Sequence, residues 1–402
     1  MIVLIANLGS TSFKYKLFDM SNAEAVLAQG AADRIGTPPS QWSVEAGDQK
    51  RQGSADLPDH GAAIELHLAE LVRIGAIESM DAIDAIGFKA VHGGPICGAV
   101  KVDEKVLATM QQFADVAPAH NPPYIAAMRA FERKLPGVPQ VAAFETAFHQ
   151  TIPASRQVYA IPYEWTELGI RRYGFHGASH RYIATRMAQI APAARKIISC
   201  HLGGSCSISA IESGQSVANS FGMTAQSGVP HASRVGDFDT FAVSKLLAAG
   251  LDLQTIFKRL GKEGGLLGIS GVSSDLRDID KAAAAGHDRA KLAIDVFVES
   301  VRHYIGAYLA VLDGADAICL TGGIGQHGKS IRAAVLAGFG YAGIAIDARK
   351  NESARGSEET RIEAADSKAQ VWVLPTNEEL IVARQTVGVL KTKINTVANA
   401  TG

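Results

Sequence analysis

Apolar and polar residues follow two alternating patterns along the chain: short apolar runs typical of buried strands, and longer stretches with the spacing of an amphipathic helix. Residues 1–20 predict a strand hairpin, and apolar runs predict further strands at 85–91, 140–144, 370–374 and from 317. Helical spacing predicts helices over residues 61–77, 123–135, 181–191, 240–249, 288–312, 329–336 and 379–392. Strands that alternate with helices in this way predict an α/β fold.

One strand–turn–strand unit occurs twice, once in each half of the chain. The first covers residues 5–12 and continues as a strand over 13–17, and the second covers 199–206 and continues over 207–211. Both turns consist largely of small residues, so their backbone N–H groups can face an anion. The repeat therefore predicts a duplicated fold that holds phosphate between its halves, as a kinase would.

A third motif is a glycine-rich turn that is predicted where the strand beginning at Ala317 ends, over residues 321–325. With no side chains in the way, a nucleotide base or ribose could approach the backbone closely there. A buried strand that ends in glycines is more often an ordinary turn, so this motif carries weight only together with the other two.

Composition narrows the class of protein. The chain has 402 residues, 47% of them hydrophobic, which is sufficient for two domains, and its net charge of -1 gives no general attraction to nucleic acid or an anionic membrane. No apolar run approaches the ~18 residues of a membrane span, and the N-terminus lacks a basic leader, so we expect a cytoplasmic protein. We expect reduced, mostly buried thiols at the cysteines, which form no CxxC pair: Cys97, Cys200, Cys206 and Cys319.

Two segments have an unusual composition. Residues 156–173 are aromatic and irregular, and we therefore expect a change of domain near residue 150. Residues 351–368 are charged and rich in turn formers, which predicts a surface excursion.

Several short motifs follow one another in the order that a known family shows. They are NLGSTSFK at 7–14, VHGG at 91–94, HNPP at 120–123, TAFHQ at 146–150, RYGFHG at 172–177, HLG at 201–203, GGIG at 322–325 and PTNEE at 375–379. On these motifs, which extend over nearly the whole chain, the sequence resembles the acetate kinases and related short-chain carboxylate kinases of the acetate and sugar kinase/Hsp70/actin superfamily.

The resemblance implies a duplicated actin-like ATPase fold of the ribonuclease H-like type, with two domains and a central cleft. Residues 1–150 would form the N-terminal domain, with the C-terminal helix 380–402 packed on it. Residues 151–379 would form the C-terminal, nucleotide-binding domain. A homodimer is also implied.

The resemblance further implies reversible transfer of the γ-phosphoryl group of ATP to a short-chain carboxylate, which gives an acyl phosphate and ADP. Asn7 and Glu378 would bind Mg²⁺ or Mn²⁺ through oxygen atoms. The planar guanidinium of Arg234 would bind the carboxylate and the group in transfer. His176 would donate a hydrogen bond to the transferring group.

A larger set of residues would bind the nucleotide and its phosphates. By resemblance these are Ser10, Ser12, Lys14, His201, Gly203, Gly204, Asp275, Leu276, Arg277, Gly323, Gly325, Gln326 and His327.

Two catalytic positions depart from the family pattern. Lys89 stands where these kinases usually have an arginine, and Glu145 where they usually have an aspartate. A lysine replaces a bidentate fork with a compact charge, and the glutamate carries its carboxylate one methylene farther out. We hypothesise that the two changes compensate as a re-spaced pair around the phosphoryl group. Reverting both should then cost less activity than the two single reversions summed.

The nucleotide residues also depart from the pattern. Gly204 replaces an asparagine, and Gln326 and His327 replace a glutamate and an asparagine. Because the glycines are retained, we expect ATP to be the phosphoryl donor. Another nucleotide, or pyrophosphate, is the alternative.

The acyl group of the substrate would contact Val91, Ala119, Phe175 and Ala225. The family usually has leucine at the position of Ala119 and proline at that of Ala225, so two walls of the pocket recede. Each further methylene buried would contribute about 0.8 kcal/mol. Propionate, butyrate or a substituted small acid would then be favoured over acetate, unless neighbouring side chains fill the space.

Two other functions stay open at this point. In a phosphatase or acyl-phosphate hydrolase, the altered pair of Lys89 and Glu145 would admit an attacking water. A regulatory protein would bind nucleotide or acyl phosphate and turn over slowly. His120, His149 and His180 are expected to be structural, because hydrogen-bonded core histidines are common.

Overall fold

The computed structural model describes residues 1–96, 98–118 and 120–398, with side chains as far as residue 392. Cys97, Ala119 and the last four positions of the helix predicted over 380–402 therefore lie outside the described residues. The chain forms two compact units. Unit 1 comprises Met1–Ala147 and the C-terminal segment from Asn377, and unit 2 comprises Phe148–Thr376.

Unit 1 is built on an eight-stranded sheet. Its strands are β1 (Ile2–Leu8), β2 (Ser12–Asp19), β3 (Ala25–Asp33), β4 (Ser40–Ala46), β5 (Gln49–Ala55), β6 (Ala85–Ala90), β7 (Ala99–Lys101) and β8 (Gln140–Phe144). They lie in the order β5-β4-β3-β2-β1-β6-β8-β7. β6 runs parallel to both β1 and β8, and the other neighbours are antiparallel.

Unit 2 is built on a six-stranded sheet. Its strands are β9 (Lys196–His201), β10 (Ser207–Glu212), β11 (Gln215–Asn219), β12 (Ala317–Thr321), β13 (Thr360–Arg361) and β14 (Gln370–Val373). They lie in the order β11-β10-β9-β12-β14-β13. β12 runs parallel to β9 and β14, and the remaining pairs are antiparallel.

The two sheets contain the same five-strand arrangement. In each, three antiparallel strands consecutive in sequence are followed by two parallel strands, which gives β3-β2-β1-β6-β8 in unit 1 and β11-β10-β9-β12-β14 in unit 2. The two small-residue turns occupy equivalent places, because one joins β1 to β2 and the other joins β9 to β10. This repeat confirms the predicted α/β class and the predicted duplication.

Helices occupy most of the remaining chain. They are α1 (His60–Arg73), α2 (Glu104–Gln112), α3 (Asn121–Lys134), α4 (Ala154–Gln157), α5 (Glu164–Glu167), α6 (Gly177–Ile190), α7 (Ala242–Ala248), α8 (Leu253–Lys262), α9 (Gly265–Ser270), α10 (Leu276–Ala284), α11 (Asp288–Leu312), α12 (Gly322–His327), α13 (Lys329–Leu336), α14 (Ala348–Ser353) and α15 (Glu378–Ala398). Short 3₁₀ turns lie at Met80–Ala82, Ala147–Thr151 and Phe339–Ala342. Among the described helices, none combines the length and the apolar character that crossing a bilayer requires.

The glycine-rich turn predicted after β12 is wrong, because the chain enters helix α12 directly at Gly322. Gly322 has a φ of +75°, and a Cβ there would lie 2.5 Å from the carbonyl oxygen of Leu202. Only glycine fits that backbone geometry and that close approach. Residues 275–277, which are expected to bind the nucleotide, lie at the start of α10, where Asp275 is the N-cap and accepts a hydrogen bond from the backbone of Arg277.

The surface excursion predicted over 351–368 is also incorrect in part. The segment contains the end of α14 and the strand β13, and the side chains of Asn351, Ile362 and Glu363 are buried. Its high content of charged residues concealed these inward-facing positions. Elsewhere, Cys200, Cys206 and Cys319 are free and buried, as expected.

The core of unit 1 lies between its sheet and α1 and α3, where Phe13, Phe88 and Phe131 pack edge to face. Helix α15 packs against β1, β6 and β8 of the same sheet. The start of α15 therefore lies next to the strands that carry the predicted site residues of unit 1.

We predict that His67 makes unit 1 sensitive to acid. Its side chain is 1% exposed and packs against Phe13 and Tyr15. Burial lowers the pKa of His67 to about 4, against the opposing charge of Glu70. Above pH 6.5 the ring is neutral in both states. As the pH falls from 6.5 towards 4, the unfolded chain binds a proton that the folded protein does not, so the free energy of unfolding falls.

At pH 5 this difference amounts to about 2 kcal/mol for one histidine. Urea denaturation at pH 7 and pH 5 should show a smaller loss of stability in H67F than in the wild type. The substitution H303Q, at an exposed histidine of α11, is the control and should leave the loss unchanged. An equal loss in H67F and the wild type would contradict the prediction.

Candidate functional site

Several predicted site residues of unit 1 lie at the carboxyl ends of its three parallel strands. Asn7 is near the end of β1, Lys89 near the end of β6, and Glu145 directly follows β8. The strand register aligns them, because Ala6 pairs with Phe88 and Lys89 pairs with Ala143. The carboxyl ends of parallel strands are where α/β proteins commonly bind ligands.

Glu378, the first residue of α15, completes this cluster. The ammonium group of Lys89 donates a hydrogen bond to its carboxylate, and both side chains are largely buried. Burial lowers the pKa of Lys89, but the charges of Glu378 and Glu145 outweigh burial and raise the pKa overall. The lysine is therefore held as a cation between two carboxylates.

The side-chain oxygen of Asn7 is positioned by Tyr124, which the sequence analysis missed. The Tyr124 hydroxyl lies 3.3 Å from Asn7 Oδ1 and accepts a hydrogen bond from Leu8 N at 3.0 Å. Tyr124 is a buried residue in the first turn of α3. Only the helical spacing of α3 indicated that it would face inward.

The donor atoms in this cluster suit a hard cation. Asn7 offers an amide oxygen and Glu378 a carboxylate, and Mg²⁺ in phosphoryl-transfer sites is typically bound by one or two carboxylates together with waters and substrate phosphates. Among the described residues there is no group of three or more His, Cys, Asp or Glu side chains that could hold a metal ion. With only two protein oxygen donors, Asn7 and Glu378 would leave most positions around such an ion to waters and substrate phosphates.

The turn between β1 and β2 is closed by a hydrogen bond from Gly9 N to Ser12 O at 2.9 Å. His60 Nε2 lies 3.0 Å from Gly9 O and further supports the turn. Ser10 is exposed, and Lys14 pairs with Asn7 across the two strands. A cavity of about 260 Å³ in unit 1 is lined by residues that include Asn7, Lys14, Lys16 and Glu379.

Unit 2 contains a much larger cavity, of about 1530 Å³. Most of the predicted nucleotide residues of this unit line it, namely Gly203, Gly204, Asp275, Leu276, Arg277, Gly323 and His327. His201, Gly325 and Gln326 are described by the structure but are not among the lining residues. The turn between β9 and β10, the start of α10 and helix α12 thus meet at one cavity.

Sequence reasoning missed other residues that line this cavity, among them Gly338, Ile344, Ile346 and Asn351. Arg332 of α13 supports this region and is fully buried. Its guanidinium donates hydrogen bonds to Gly325 O (3.2 Å), Gln326 O (2.7 Å), Asn351 Oδ1 (2.7 Å) and Asn351 O (2.9 Å). It therefore ties the end of α12 to α14.

His176 immediately precedes α6 and has a φ of +56°. A non-glycine residue in this region is uncommon and is often found at functional sites. Its Nδ1 lies 2.8 Å from Ser207 Oγ, and its ring centroid lies 4.2 Å from that of His201. Both the backbone and the ring of His176 are thus fixed by its surroundings.

Arg234 lies in the long loop between β11 and α7. Its Nη1 donates a hydrogen bond to the carbonyl oxygen of Ala225 at 2.6 Å, which joins two residues predicted to contact the substrate. Burial lowers the pKa of Arg234, although a guanidinium stays charged in proteins. Next to it, His231 stacks on Phe221 and accepts a hydrogen bond from Cys206 N at 2.9 Å.

The residues predicted to contact the acyl group are distributed over both units. In unit 2, Phe175 is buried and packs edge to face on Phe221, with the ring centroids 5.4 Å apart, and Ala225 is half-buried. In unit 1, Val91 is half-buried directly after β6. Ala119 lies outside the described residues.

His149 supports the segment that carries Phe175 and His176. Its two ring nitrogens each lie 2.8 Å from a partner, Ser216 Oγ and the carbonyl oxygen of Phe175. Burial lowers its pKa to about 4, so the ring is neutral near pH 7. These contacts agree with the structural role expected for this histidine.

Comparison with known proteins places this geometry in a family. The model of the acetokinase family matches residues 2–384. The acetate kinase of Dictyoglomus turgidum is 45% identical over 404 residues, an alignment that covers 98% of this chain and 99% of that protein.

Solved structures show the same relationship. The crystal structure of Porphyromonas gingivalis acetate kinase aligns with a TM-score of 0.89 at 38% identity, covering 97% of this chain and 99% of that one. A propionate kinase from Francisella tularensis aligns with a TM-score of 0.90 at 34% identity, covering 96% and 99%. With a family model and close relatives that both span nearly its whole length, the chain belongs to the acetokinase family.

Proposed function

We propose that this protein catalyses reversible, Mg²⁺-dependent transfer of the γ-phosphoryl group of ATP to a short-chain carboxylate, with an acyl phosphate and ADP as products. The observation that carries the proposal is the repeated strand–turn–strand unit. One turn lies beside the cluster of Asn7, Lys89, Glu145 and Glu378, and the other opens into the large cavity of unit 2. Membership of the acetokinase family supports the same activity.

The cavity of unit 2 suits an adenine nucleotide. Small-molecule pockets usually have volumes of about 300–1,000 Å³. The volume of this cavity, about 1530 Å³, is therefore large enough for a ligand of nucleotide size. Gly203 and Gly204 allow phosphate oxygens to approach the backbone at one end. Ile344 and Ile346 provide apolar surface for the base.

The cluster of unit 1 suits the triphosphate end of the substrate. Asn7 and Glu378 would hold Mg²⁺ or Mn²⁺, which supplies positive charge to the phosphate oxygens when it is bound. Lys89 is a fixed cation between two carboxylates, and it would add a second positive charge that needs no rearrangement during transfer. Glu145 would then help to hold Lys89 in place.

Arg234 and His176 would act on the group in transfer. A guanidinium has five N–H donors, so Arg234 can bind the substrate carboxylate while Nη1 holds Ala225. An N–H group of His176 would stabilise charge that develops on the equatorial oxygens. Neither role requires covalent chemistry from the protein.

We predict that the preferred acid is larger than acetate, because Ala119 and Ala225 are smaller than the usual family residues. The experiment traps the acyl phosphate as a hydroxamate with ATP, Mg²⁺ and acids from formate to valerate, including hydroxy acids, while free phosphate is measured in parallel. A maximum at three or four carbons is expected. With about 0.8 kcal/mol for each methylene, propionate should exceed acetate roughly 4-fold in kcat/KM.

The other outcomes of this assay separate the alternatives. A maximum at acetate would contradict the enlarged pocket and leave the kinase activity standing. Phosphate release without acid would indicate a hydrolase. Tight nucleotide binding without product would indicate a regulatory protein, and either result would overturn the proposed function. Replacement of ATP by another nucleotide or by pyrophosphate in the same assay tests the phosphoryl donor.

We predict that Lys89 and Glu145 are energetically coupled in catalysis. The reversions K89R and E145D should each lower kcat/KM, and the double variant should retain at least about 5-fold more activity than the product of the single effects predicts. The electrostatic effect of Glu145 on Lys89 supports this coupling.

The control for this cycle pairs E145D with K101R, an exposed conservative change on β7. That pair should be additive. If K89R and E145D were equally additive, the compensation hypothesis would fail.

We also propose that the protein forms a homodimer through α7 and α8. Large apolar side chains are exposed here, among them Phe241 (86% exposed), which is the N-cap of α7, and Phe257 of the adjoining α8 (59% exposed). A second copy of this chain would remove these side chains from water. Light scattering should therefore give twice the chain mass of 42.3 kDa for the wild type. The variant F241D/F257D should have the mass of one chain. Y341D, at an equally exposed aromatic residue, should remain dimeric, and a monomeric wild type would refute the proposal.

A further inference from the structure

A continuous hydrogen-bonded chain runs through unit 2 from Ser199 to His176. Ser199 Oγ lies 2.9 Å from His180 Nδ1, and His180 Nε2 lies 2.8 Å from Ser207 Oγ. Ser207 Oγ lies a further 2.8 Å from His176 Nδ1. Ser199, His180 and Ser207 are all fully buried, and they belong to β9, α6 and β10.

The number of protons in this chain limits how it can be arranged. Burial, together with the neighbouring His149 and His201, lowers the pKa of His180 well below its usual value, so its ring is neutral. A neutral imidazole has one N–H donor and one acceptor nitrogen. Ser207 has a single hydroxyl proton between two imidazoles, so it donates to one ring and accepts from the other. The tautomers of His180 and His176 are therefore coupled.

We propose that Ser207 and His180 are positioning residues that hold His176 in the tautomer with hydrogen on Nε2. In this arrangement Ser199 donates to His180 Nδ1, His180 Nε2–H donates to Ser207, and Ser207 donates to His176 Nδ1. His176 then carries its hydrogen on Nε2, and this N–H can donate a hydrogen bond to the transferring phosphoryl group. The inference rests on the proposed kinase function and on the role of His176 in it.

The opposite arrangement would work against that function. If a neutral His176 donated from Nδ1 to Ser207, its Nε2 would carry a lone pair and would repel an anionic phosphoryl oxygen. Replacing the Ser207 hydroxyl removes the acceptor for His180 and the donor to His176 in one step. A chain whose only purpose was to satisfy buried polar atoms would not depend on this direction.

The chain offers a matched control for Ser207. Ser209 lies two residues farther along β10, is also fully buried, and bonds to Ala218 O at 2.8 Å and to Ser216 Oγ at 3.2 Å. Its backbone pairs with Ser199 across β9 and β10, but both of these side-chain partners lie outside the chain from Ser199 to His176. S207A and S209A therefore each remove one buried serine hydroxyl from β10. Only S207A removes a hydrogen bond to His176 and should change its tautomer.

The first experiment measures acyl phosphate formation by the wild type, S207A and S209A. S207A should lower kcat by about 10- to 100-fold, with the KM values for ATP and the acid changed less than about 3-fold, because ground-state binding does not use this hydrogen bond. S209A should retain kcat within about 3-fold of the wild type. Equal kcat values in S207A and S209A would overturn the proposal.

The second experiment observes the tautomer directly. Long-range ¹H–¹⁵N spectra of ring-labelled histidines, with the His176 signals assigned by their loss in H176Q, should show hydrogen on Nε2 in the wild type and a mixture of tautomers in S207A. H180Q places a polar amide near Ser207 and should retain more activity than H180F. An unchanged His176 tautomer in S207A would refute the inference. If the wild type formed no acyl phosphate, the proposed function would fail, and the spectra would still decide the tautomer.

Discussion

A buried ammonium group between two carboxylates is the interaction on which the unit 1 site depends. Lys89 of β6 is held by Glu378 of α15 and by the charge of Glu145 after β8. Removing one charge from such a cluster would leave the others uncompensated in a poorly solvated place, which is strongly destabilising. The same balance links sequence positions far apart, because the final helix of the chain must begin beside the strands of its first third. Fold and site thus share one electrostatic requirement.

Much of the fold could be predicted from the hydrophobic pattern. The bounds of α11 and α13 agree with the helical spacing, and the duplicated turns indicated the repeat that both sheets contain. The errors occurred where the residue types suggest one local structure and the chain adopts another. Glycines at the end of β12 suggested a turn, yet Gly322 begins a helix because its positive φ lets the chain pass close to Leu202. Charged residues after position 351 concealed side chains that face inward.

The site residues also fall into those that the sequence indicates and those that it does not. Asn7, Glu378 and the residues of the two turns could be proposed because they lie in motifs with a recognisable order. Tyr124 and Ser207 could not, since an isolated tyrosine in a helix or serine in a strand has no local signal. Their contacts depend on which strands become neighbours. The partner of Lys89 was also out of reach of the sequence, which suggested Glu145, whereas the hydrogen bond goes to Glu378.

The hydrogen bonds of Arg332 have a consequence for how unit 2 receives its ligand. One guanidinium joins the carbonyl groups at the end of α12 to both the side chain and the backbone of Asn351, using only protein atoms. Protein groups alone therefore hold this part of the cavity wall together. Less conformational entropy has to be lost on association than if the ligand had to order α12 and α14 itself. Internal hydrogen bonds of this kind thus make the shape of the cavity a property of the fold and not of its occupant.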